Sequence, residues 1–299
     1  MFWRKKLPEL PEVETVRRGL EKLIVGRQIM NVNVLNEKTF HASIHEIKSF
    51  VVNAKIIATR RRAKVLIIDL STDYSLVIHL KMTGQIVFRG DENWGGGHPT
   101  ESYIKELPDK STRVEFDLSG NAKLFFNDQR KFGWIKLVPT AEIDDMDFIK
   151  KLGPEPLTGQ PEKEFLKRVK RHANTTIKAA ILNQEVIAGI GNIYADEALW
   201  GAKVHPACKV KDLSDAQLRK VLSEAIKAMN KSLAAGGSTM TNYVQADGSR
   251  GNYLDKFANV FRRDGQPCPR CGTAIEKIRV AGRGTHFCPH CQKLISAKM

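Results

Sequence analysis

The sequence predicts an α+β protein of more than one domain, with an N-terminal antiparallel β-sandwich flanked by helices, then a helical domain and a C-terminal finger. The length of 299 residues suits about two domains of roughly 150 residues each. Apolar and polar residues alternate through much of residues 29–138, which is the pattern of strands with one buried face. Residues 163–235 have a mostly helical pattern, and two C-x-x-C pairs lie near the end of the chain.

The N-terminal part is expected to begin with a helix over residues 10–26. Pro11 suits its first turn, acidic residues crowd its start and Gly26 follows its end. Glycines 95–97 are expected to lie in a long loop. β-branched residues and alternation predict strands within 29–36, 55–70, 74–88, 113–119 and 123–138.

An acidic, proline-bearing segment at residues 141–162 separates the β-rich part from the helical part. Such a change of composition is typical of a hinge between domains. We therefore expect a β-sandwich domain over residues 8–140, a helical domain over 163–261 and a finger over 262–299. The helical pattern is interrupted at 188–192 and again near 205–206.

The charge of the chain is strongly basic, with 48 Lys and Arg against 33 Asp and Glu, or +15 overall. Such an excess favours a polyanionic partner, either nucleic acid or an acidic membrane surface. No apolar run approaches the roughly 18 residues of a membrane span, and no long basic amphipathic helix or lipidation signal is evident. Nucleic acid is the favoured partner, with no membrane expected. The basic N-terminus lacks the apolar core of a secretory signal, so a cytoplasmic location is expected.

The cysteines near the C-terminus are spaced C-x2-C-x16-C-x2-C, which is within the range of structural zinc sites. Four thiolates complete a tetrahedral zinc ion and leave no position for water, so one zinc would fold the finger without taking part in chemistry. Four unrelated cysteines are the alternative. His286 and His290 could compete as ligands but are expected not to bind. The predicted ligands are Cys268, Cys271, Cys288 and Cys291.

Arg283 stands between two glycines in the segment that joins the cysteine pairs. An arginine on such a hairpin can approach a phosphate closely and bind it with several N–H donors. A solvated hairpin charge fits the spacing equally well.

The chain resembles the formamidopyrimidine-DNA glycosylase family (Fpg/MutM, related to endonuclease VIII) along its length. The resemblance is collinear from residue 8 to about residue 292, and the PELPEVE form is similar to the Fpg branch. The motifs that carry it are PELPEVETVRRG at 8–19, RRAK at 61–64, HLKMTG at 79–84, DQRKFG at 128–133, LGPEPL at 152–157, IAGIGNIYADE at 187–197, GGST at 236–239 and the finger.

The resemblance implies a bifunctional DNA glycosylase and AP lyase of base excision repair. Pro8 would be the nucleophile, since an α-amine with a pKa of about 8 is partly neutral at physiological pH. Glu9 would act as the acid/base, and Glu12 would support the active-site network. Lys64 would bind a phosphate and donate a proton in β-elimination, and Arg283 would assist δ-elimination.

Seven residues precede Pro8, and a proline inside a peptide bond has no nucleophilic lone pair. We interpret residues 1–7 as a leader or start-site artefact, with Leu7 encoded by a non-AUG codon that is translated as the initiator methionine. Its removal would free Pro8. The alternative is a true extension on a non-catalytic protein that binds damaged DNA.

The resemblance also implies DNA contacts. Met82, Arg130 and Phe132 would fill the gap left by a flipped nucleotide, although core packing is the alternative for Met82 and Phe132. Lys178 and Asn192 would contact phosphates from a helix–two-turn–helix segment at 178–200.

In two loops, this sequence follows the family pattern less closely. The family has a histidine where Ser111 stands, and Arg113 is the nearby residue expected to compensate. A lesion-covering loop corresponds to 239–243 and 248–251.

The expected partner is double-stranded DNA that contains oxidised bases or abasic sites, bound in a cleft between the domains by a monomer. The expected lesions are oxidised purines, chiefly 8-oxoguanine and formamidopyrimidines. Oxidised pyrimidines, in the manner of endonuclease VIII, are the alternative. The implied setting is the bacterial cytoplasm, at the nucleoid.

Overall fold

The computed structural model describes residues 8–98, 100–236 and 257–295. The predicted leader at 1–7 and the predicted lesion-covering loop lie outside these ranges. The described residues form two compact units, one over 8–150 and the other over 151–234 together with 257–295. The boundary at residues 150 and 151 falls inside the segment that was expected to be a hinge.

The first unit begins with helix α1 (Leu10–Ile24), as predicted. Its buried residues Val13, Val16, Leu20 and Leu23 recur at intervals of three and four, which places them on one face. Pro11 lies in the first turn, where it has no helical hydrogen bond to lose. This face packs on the β-sandwich core.

Two five-stranded sheets follow, in the orders β1-β8-β9-β6-β7 and β2-β10-β5-β4-β3. Neighbouring strands are antiparallel except β2 and β10, which are parallel. A short helix, α2 (Ile44–Glu46), and a π-helical turn (Ile47–Val51) join β2 to β3. The strands are β1 (Ile29–Val34), β2 (Phe40–His41), β3 (Ile56–Arg62), β4 (Val65–Leu70), β5 (Tyr74–His79), β6 (Gly84–Arg89), β7 (Asn93–Gly97), β8 (Thr112–Leu118), β9 (Ala122–Asp128) and β10 (Trp134–Pro139).

Strand β4 is apolar without alternation because both of its faces are buried. Leu66 and Ile68 belong to the core shared by both sheets. Ile67 faces the other way, into a second cluster with Ile143 and Ile149. These two residues come from a 3-10 turn (Thr140–Asp145) and helix α3 (Asp147–Lys150). The first part of the acidic segment is therefore packed structure that covers the outer face of the sheet.

The expectation of a long loop at residues 95–97 was wrong, because these glycines form most of β7. A Cβ on Gly96 would lie 2.7 Å from Val16 Cγ2 and 2.6 Å from the ring of Trp94. Helix α1 thus lies so close to this edge strand that only glycine fits. Glycine has a low strand propensity, so the sequence pattern concealed the strand.

The second unit contains α4 (Glu162–Lys170), α5 (Ile177–Leu182), α6 (Asn192–Gly201) and α7 (Asp215–Ala234), followed by the hairpin of β11 (Glu276–Val280) and β12 (Arg283–Phe287). Glu197 on α6 accepts hydrogen bonds from the backbone N–H groups of Asn259, Val260 and Phe261 at 2.9–3.0 Å. This buried carboxylate attaches the segment before the finger to the helices. Among the described residues, no helix is both long enough and apolar enough to cross a bilayer.

Candidate functional site

The start of α1 holds the three predicted residues Pro8, Glu9 and Glu12, all buried. Glu9 is the N-cap, and the Glu12 carboxylate accepts a hydrogen bond from the Glu9 backbone N–H at 2.9 Å, within a capping box. The helix N-terminus stabilises negative charge at this position. Glu12 therefore fixes the backbone that carries Glu9 and Pro8.

Lys64 lies in the two-residue turn between β3 and β4, beside Ala63, whose φ is +52°. Despite its place in a turn, Lys64 is buried. Arg61 connects this turn to α1. Its guanidinium donates to Ala63 O at 2.8 Å and lies 3.1 Å from the Glu14 carboxylate. Glu14 and Arg61 both lie in the motifs quoted above, but neither was predicted to be a site residue.

The Glu14 carboxylate accepts hydrogen bonds from three arginine side chains, one of which is Arg61. Burial opposes its ionisation, but hydrogen bonds from Arg17, Arg18 and Arg61 hold its pKa below the ordinary value. Glu14 is therefore a carboxylate at neutral pH and keeps the arginine side chains in place.

His79 lies opposite Val65 in the neighbouring strand, next to Lys64. Burial, together with the charges of Lys81 and Lys64, lowers the pKa of His79 to about 3. The ring is therefore neutral. Its Nδ1 accepts the Lys81 backbone N–H at 3.0 Å, so the proton resides on Nε2. Sequence reasoning missed this neutral N–H donor, because its lowered pKa depends on burial in the folded chain and on Lys64, which the fold brings close to it.

The three predicted gap-filling residues come together in the first unit. The Arg130 guanidinium lies 3.0 Å from Met82 Sδ and 4.6 Å above the ring of Phe132. Phe132 is 52% exposed, which does not fit the alternative of core packing. The cluster thus presents a planar ring and a planar cation at the surface, stacked on each other.

Asp128, which is 1% exposed, organises this cluster. Its carboxylate accepts the backbone N–H groups of Arg130, Phe132 and Gly133 at 3.1, 2.8 and 2.7 Å and the hydroxyl of Thr83. A Cβ on Gly133 would lie 2.7 Å from the Phe126 ring, so the turn requires glycine. The loop is held in shape by one buried charge.

The placement of Arg113 corrects the expectation that it contacts DNA. Arg113 is buried, and its Nε donates to the Asp128 carbonyl at 2.8 Å. Ser111 is also buried and donates to the Asp109 carboxylate at 2.6 Å. Both residues support the neighbouring loops, and their burial does not fit a direct phosphate contact.

In the second unit, the predicted glycine turn precedes α6. Gln184 donates to Ile190 O at 2.8 Å and accepts the Gly189 N–H at 3.0 Å, which closes the turn. Asn192 is the first residue of α6, and its Nδ2 donates to Gly284 O at 2.9 Å. Its Oδ1 has no hydrogen-bond partner among the described residues.

Lys178 does not lie where the prediction of a phosphate contact requires. Its side chain is 0% exposed and forms an ion pair with Asp196 at 2.6 Å. It also donates to Thr285 Oγ1 at 2.7 Å. A fully buried amine with these partners connects helices α5 and α6 to the finger strand and does not reach solvent.

The four predicted zinc ligands form one cluster, with all Sγ atoms within 4.8 Å of one another. Tetrahedral zinc with Zn–S bonds of about 2.3 Å fits sulfurs at such separations. Hydrogen bonds from the side chain and backbone of Thr273 lower the pKa of Cys271 to about 6. Trp200 Nε1 donates to Cys268 Sγ at 3.4 Å. The donor set is that of a closed structural zinc site.

The histidines near the cluster have other surroundings. His286 Nδ1 lies 3.1 Å from Asp196, and its Nε2 lies 3.4 Å from Asp264. His290 is exposed and is not in the cluster. The interpretation of both as non-ligands fits this geometry.

Arg283 is exposed at the first position of β12. It follows a two-residue turn in which Ala281 and Gly282 have φ values of +50° and +71°, the signs of a type I′ hairpin turn. The guanidinium therefore stands at the tip of the finger hairpin.

The elements and side chains described above define a class of protein with two units. One unit is a β-sandwich, and the other combines helices with a zinc finger. Residues 7–135 match the formamidopyrimidine-DNA glycosylase N-terminal domain. Residues 152–244 match the formamidopyrimidine-DNA glycosylase H2TH domain, and residues 265–294 match the zinc finger found in FPG and IleRS. The chain belongs to the formamidopyrimidine-DNA glycosylase family.

Named relatives match nearly the whole chain. A formamidopyrimidine-DNA glycosylase of Pelotomaculum thermopropionicum is 39% identical over 289 residues, and one of Pediococcus pentosaceus is 40% identical over 288 residues. Each alignment covers 96% of this chain and 100% of the relative.

Solved structures show the same fold. Lactococcus lactis Fpg in complex with DNA that contains an abasic site is similar with a TM-score of 0.82 and 34% identity. MutM in complex with DNA that contains carbocyclic 8-oxo-G has a TM-score of 0.80 and 33% identity. Each covers 96% of this chain and 100% of the other chain.

Proposed function

We propose that the chain is a bifunctional DNA glycosylase and AP lyase that removes oxidised purines from DNA in base excision repair. The observation that carries the proposal is the buried start of α1, where Glu12 holds the backbone of Glu9 directly after Pro8. Family membership supports it, as do the DNA complexes of Lactococcus lactis Fpg and MutM.

The chemistry begins with the Pro8 nitrogen as a free secondary amine. Its lone pair attacks the sugar C1′ of the lesion nucleotide, the bond between C1′ and the base nitrogen breaks, and the base leaves with the electron pair and takes up the proton that the Pro8 nitrogen loses. Glu9 protonates the sugar oxygen as the ring opens, which produces a C1′ iminium ion. The match to the family's N-terminal domain begins at residue 7, which supports a nucleophile at this position.

Strand cleavage follows from the iminium as an electron sink. Loss of a C2′ proton breaks the C3′–O bond, and loss of a C4′ proton then breaks the C5′–O bond. Lys64 binds a phosphate and donates a proton in the first elimination. Arg283 stabilises the negative charge that develops on the phosphate in the second.

DNA recognition uses residues of both units. Met82, Arg130 and Phe132 fill the gap left by the flipped nucleotide, since they present stackable groups. Asn192 contacts a phosphate from the start of α6. Lys178 and Arg113 act behind the surface, through the partners that bury them. The zinc finger presents Arg283, and the zinc ion stabilises that finger.

Oxidised purines are the favoured lesions, and oxidised pyrimidines are a second candidate for a specific reason. A solved complex of Lactococcus lactis Fpg, with a TM-score of 0.82 to this chain, contains DNA with an oxidised pyrimidine. The bacterial relatives support a cytoplasmic setting at the nucleoid, and one chain acting as a monomer suffices.

Excision from matched duplexes tests the proposal. Two forms of the chain, one of 299 residues and one that begins at Pro8, are incubated with duplexes containing 8-oxoguanine opposite cytosine, an oxidised pyrimidine or no lesion. We expect the Pro8 form to release 8-oxoguanine and cut the strand, with the undamaged duplex intact. Tight lesion binding without base release by the Pro8 form would instead support the non-catalytic alternative.

A further inference from the structure

A fully buried ion pair lies behind the exposed arginine of the finger. Lys178 on α5 and Asp196 on α6 are both 0% exposed in their side chains, with Nζ 2.6 Å from the carboxylate. Burying two charges costs desolvation energy, and apolar residues of similar size often give equal or greater stability. Stability alone therefore does not explain the pair, and its other contacts indicate what it does.

Those contacts lead directly to the backbone of Arg283. Lys178 Nζ donates to Thr285 Oγ1 at 2.7 Å. The same hydroxyl donates its own hydrogen to the Arg283 carbonyl at 3.0 Å. Thr285 is 0% exposed, so water does not compete for these bonds. A continuous path of hydrogen bonds thus runs from Asp196 through Lys178 and Thr285 to Arg283.

Neighbouring atoms of the finger strand are fixed in the same way. The Gly284 carbonyl accepts hydrogen bonds from Asn192 Nδ2 at 2.9 Å and from Lys178 Nζ at 3.3 Å. The second oxygen of the Asp196 carboxylate accepts the His286 backbone N–H at 2.9 Å. Three successive residues after Arg283 are therefore bound to α5 and α6.

We propose that Lys178, Asp196 and Thr285 are positioning residues that fix the backbone of Arg283 relative to Asn192. Arg283 and Asn192 are thereby held as one rigid unit that contacts consecutive groups of the DNA backbone. Without these bonds, the exposed hairpin tip would sample many orientations, and an arginine that stabilises developing charge acts only when it is correctly placed. The inference rests on the proposed function, in which Arg283 assists the second elimination.

The test compares Thr285→Val with Thr285→Ser in the chain that begins at Pro8. Valine keeps the shape of threonine but removes both hydrogen bonds of the hydroxyl, whereas serine retains the hydroxyl. Ser232→Ala is the matched control, because it removes a buried hydroxyl that bonds to Tyr194 at 2.7 Å elsewhere in the same unit. Zinc content and the thermal midpoint are measured for every variant.

The readout is the ratio of δ- to β-elimination products from a duplex with an abasic site. Loss of two buried hydrogen bonds should slow the second elimination about tenfold in Thr285→Val. The first elimination should change by less than about twofold, since Lys64 lies in the other unit. Thr285→Ser should restore the ratio, and Ser232→Ala should leave it unchanged. A role in stability alone would shift the thermal midpoint without changing the ratio.

A second variant covers the case in which Thr285→Val loses zinc. Lys178→Met combined with Asp196→Asn removes both buried charges together and is expected to lower the same ratio. A wild-type product ratio in zinc-bound Thr285→Val would overturn the inference. If Thr285→Val loses zinc, a wild-type ratio in the zinc-bound double variant would overturn it instead. Failure of the unaltered chain to produce any δ product would instead contradict the proposed function.

Discussion

Arg61 on β3 lies 3.1 Å from the Glu14 carboxylate on α1 and, through a second nitrogen, donates to Ala63 O at 2.8 Å. One side chain therefore joins the helix that begins after Pro8 to the turn that carries Lys64. The proposed nucleophile and the proposed β-elimination lysine are far apart in sequence, and this bridge helps to hold them in a fixed relation.

Glu14→Gln should slow strand cleavage because it weakens that bridge. Hydrogen bonds to a charged group contribute about 1.5–3 kcal/mol, so we expect the single-turnover lyase rate to fall about tenfold. Glu21→Gln is the control, since Glu21 is half exposed and its carboxylate pairs with Arg17 at 2.8 Å on the helix surface. Equal rates for the two variants would contradict a positioning role for Glu14.

Asp128→Asn should impair the excision of a base from a duplex. Asparagine offers one acceptor oxygen where the carboxylate accepts three backbone N–H groups, so the loop of Arg130 and Phe132 loses its shape. We expect a loss of about 3 kcal/mol in unfolding free energy and slower base release from duplex DNA. Cleavage of a single-stranded abasic site, which needs no gap filling, should be affected less. Asp91→Asn, at an 86% exposed side chain, should behave as the unaltered chain in both assays.

His79 should make the stability of the first unit depend on acid. The unfolded chain binds a proton near pH 6.5, whereas the folded pKa is about 3. Acid therefore favours the unfolded state, and stability is lost as the pH falls from about 6.5 towards 3, by at most about 1.4 kcal/mol per pH unit. Above pH 6.5 this contribution is constant.

Denaturant unfolding at a series of pH values measures this effect. His79→Gln should flatten the pH dependence below pH 6.5, and the exposed His45→Gln should not. An NMR titration in which the His79 ring protonates between pH 6 and 7 would show that the pKa is not depressed.

Zinc removal should unfold the finger and expose Trp200. The indole donates to Cys268 Sγ and packs against the cluster that contains Val260 and Ile275. Cys271→Ser should lower bound zinc below one ion per chain and shift tryptophan fluorescence to longer wavelength. Cys208→Ala is the control, because burial raises the pKa of that thiol and it lies outside the zinc cluster. Equal zinc loss in both variants would contradict the assignment of the site.

Sequence patterns predicted the features that depend on residues close together in the chain. The α1 start, the strands of the sandwich and the spacing of the four cysteines all follow from periodicity, capping residues and ligand separation. Lys178 and Arg113 show the limit of this reasoning. Basic residues in a DNA-binding motif suggest phosphate contacts, but their burial depends on Asp196, Thr285 and the Asp128 carbonyl, which are distant in sequence.

In the gap-filling cluster, too, some features could be predicted from the sequence and others depend on the fold. Met82, Arg130 and Phe132 could be named from motifs, whereas the central role of Asp128 depends on three backbone N–H groups that the folded loop brings to its carboxylate. The glycine strand β7 was concealed because close packing against α1, rather than strand propensity, selects its residues.

Borohydride reduction of the covalent intermediate, followed by peptide mapping, tests the central claim most directly. The chain that begins at Pro8 is mixed with an 8-oxoguanine duplex and reduced, and the cross-linked peptide is identified by mass spectrometry. The account predicts a DNA adduct on the nitrogen of Pro8, much reduced in Pro8→Gly and absent from a chain that retains residues 1–7. An adduct on a lysine side chain, or equal trapping by the chain with residues 1–7 still attached, would contradict it.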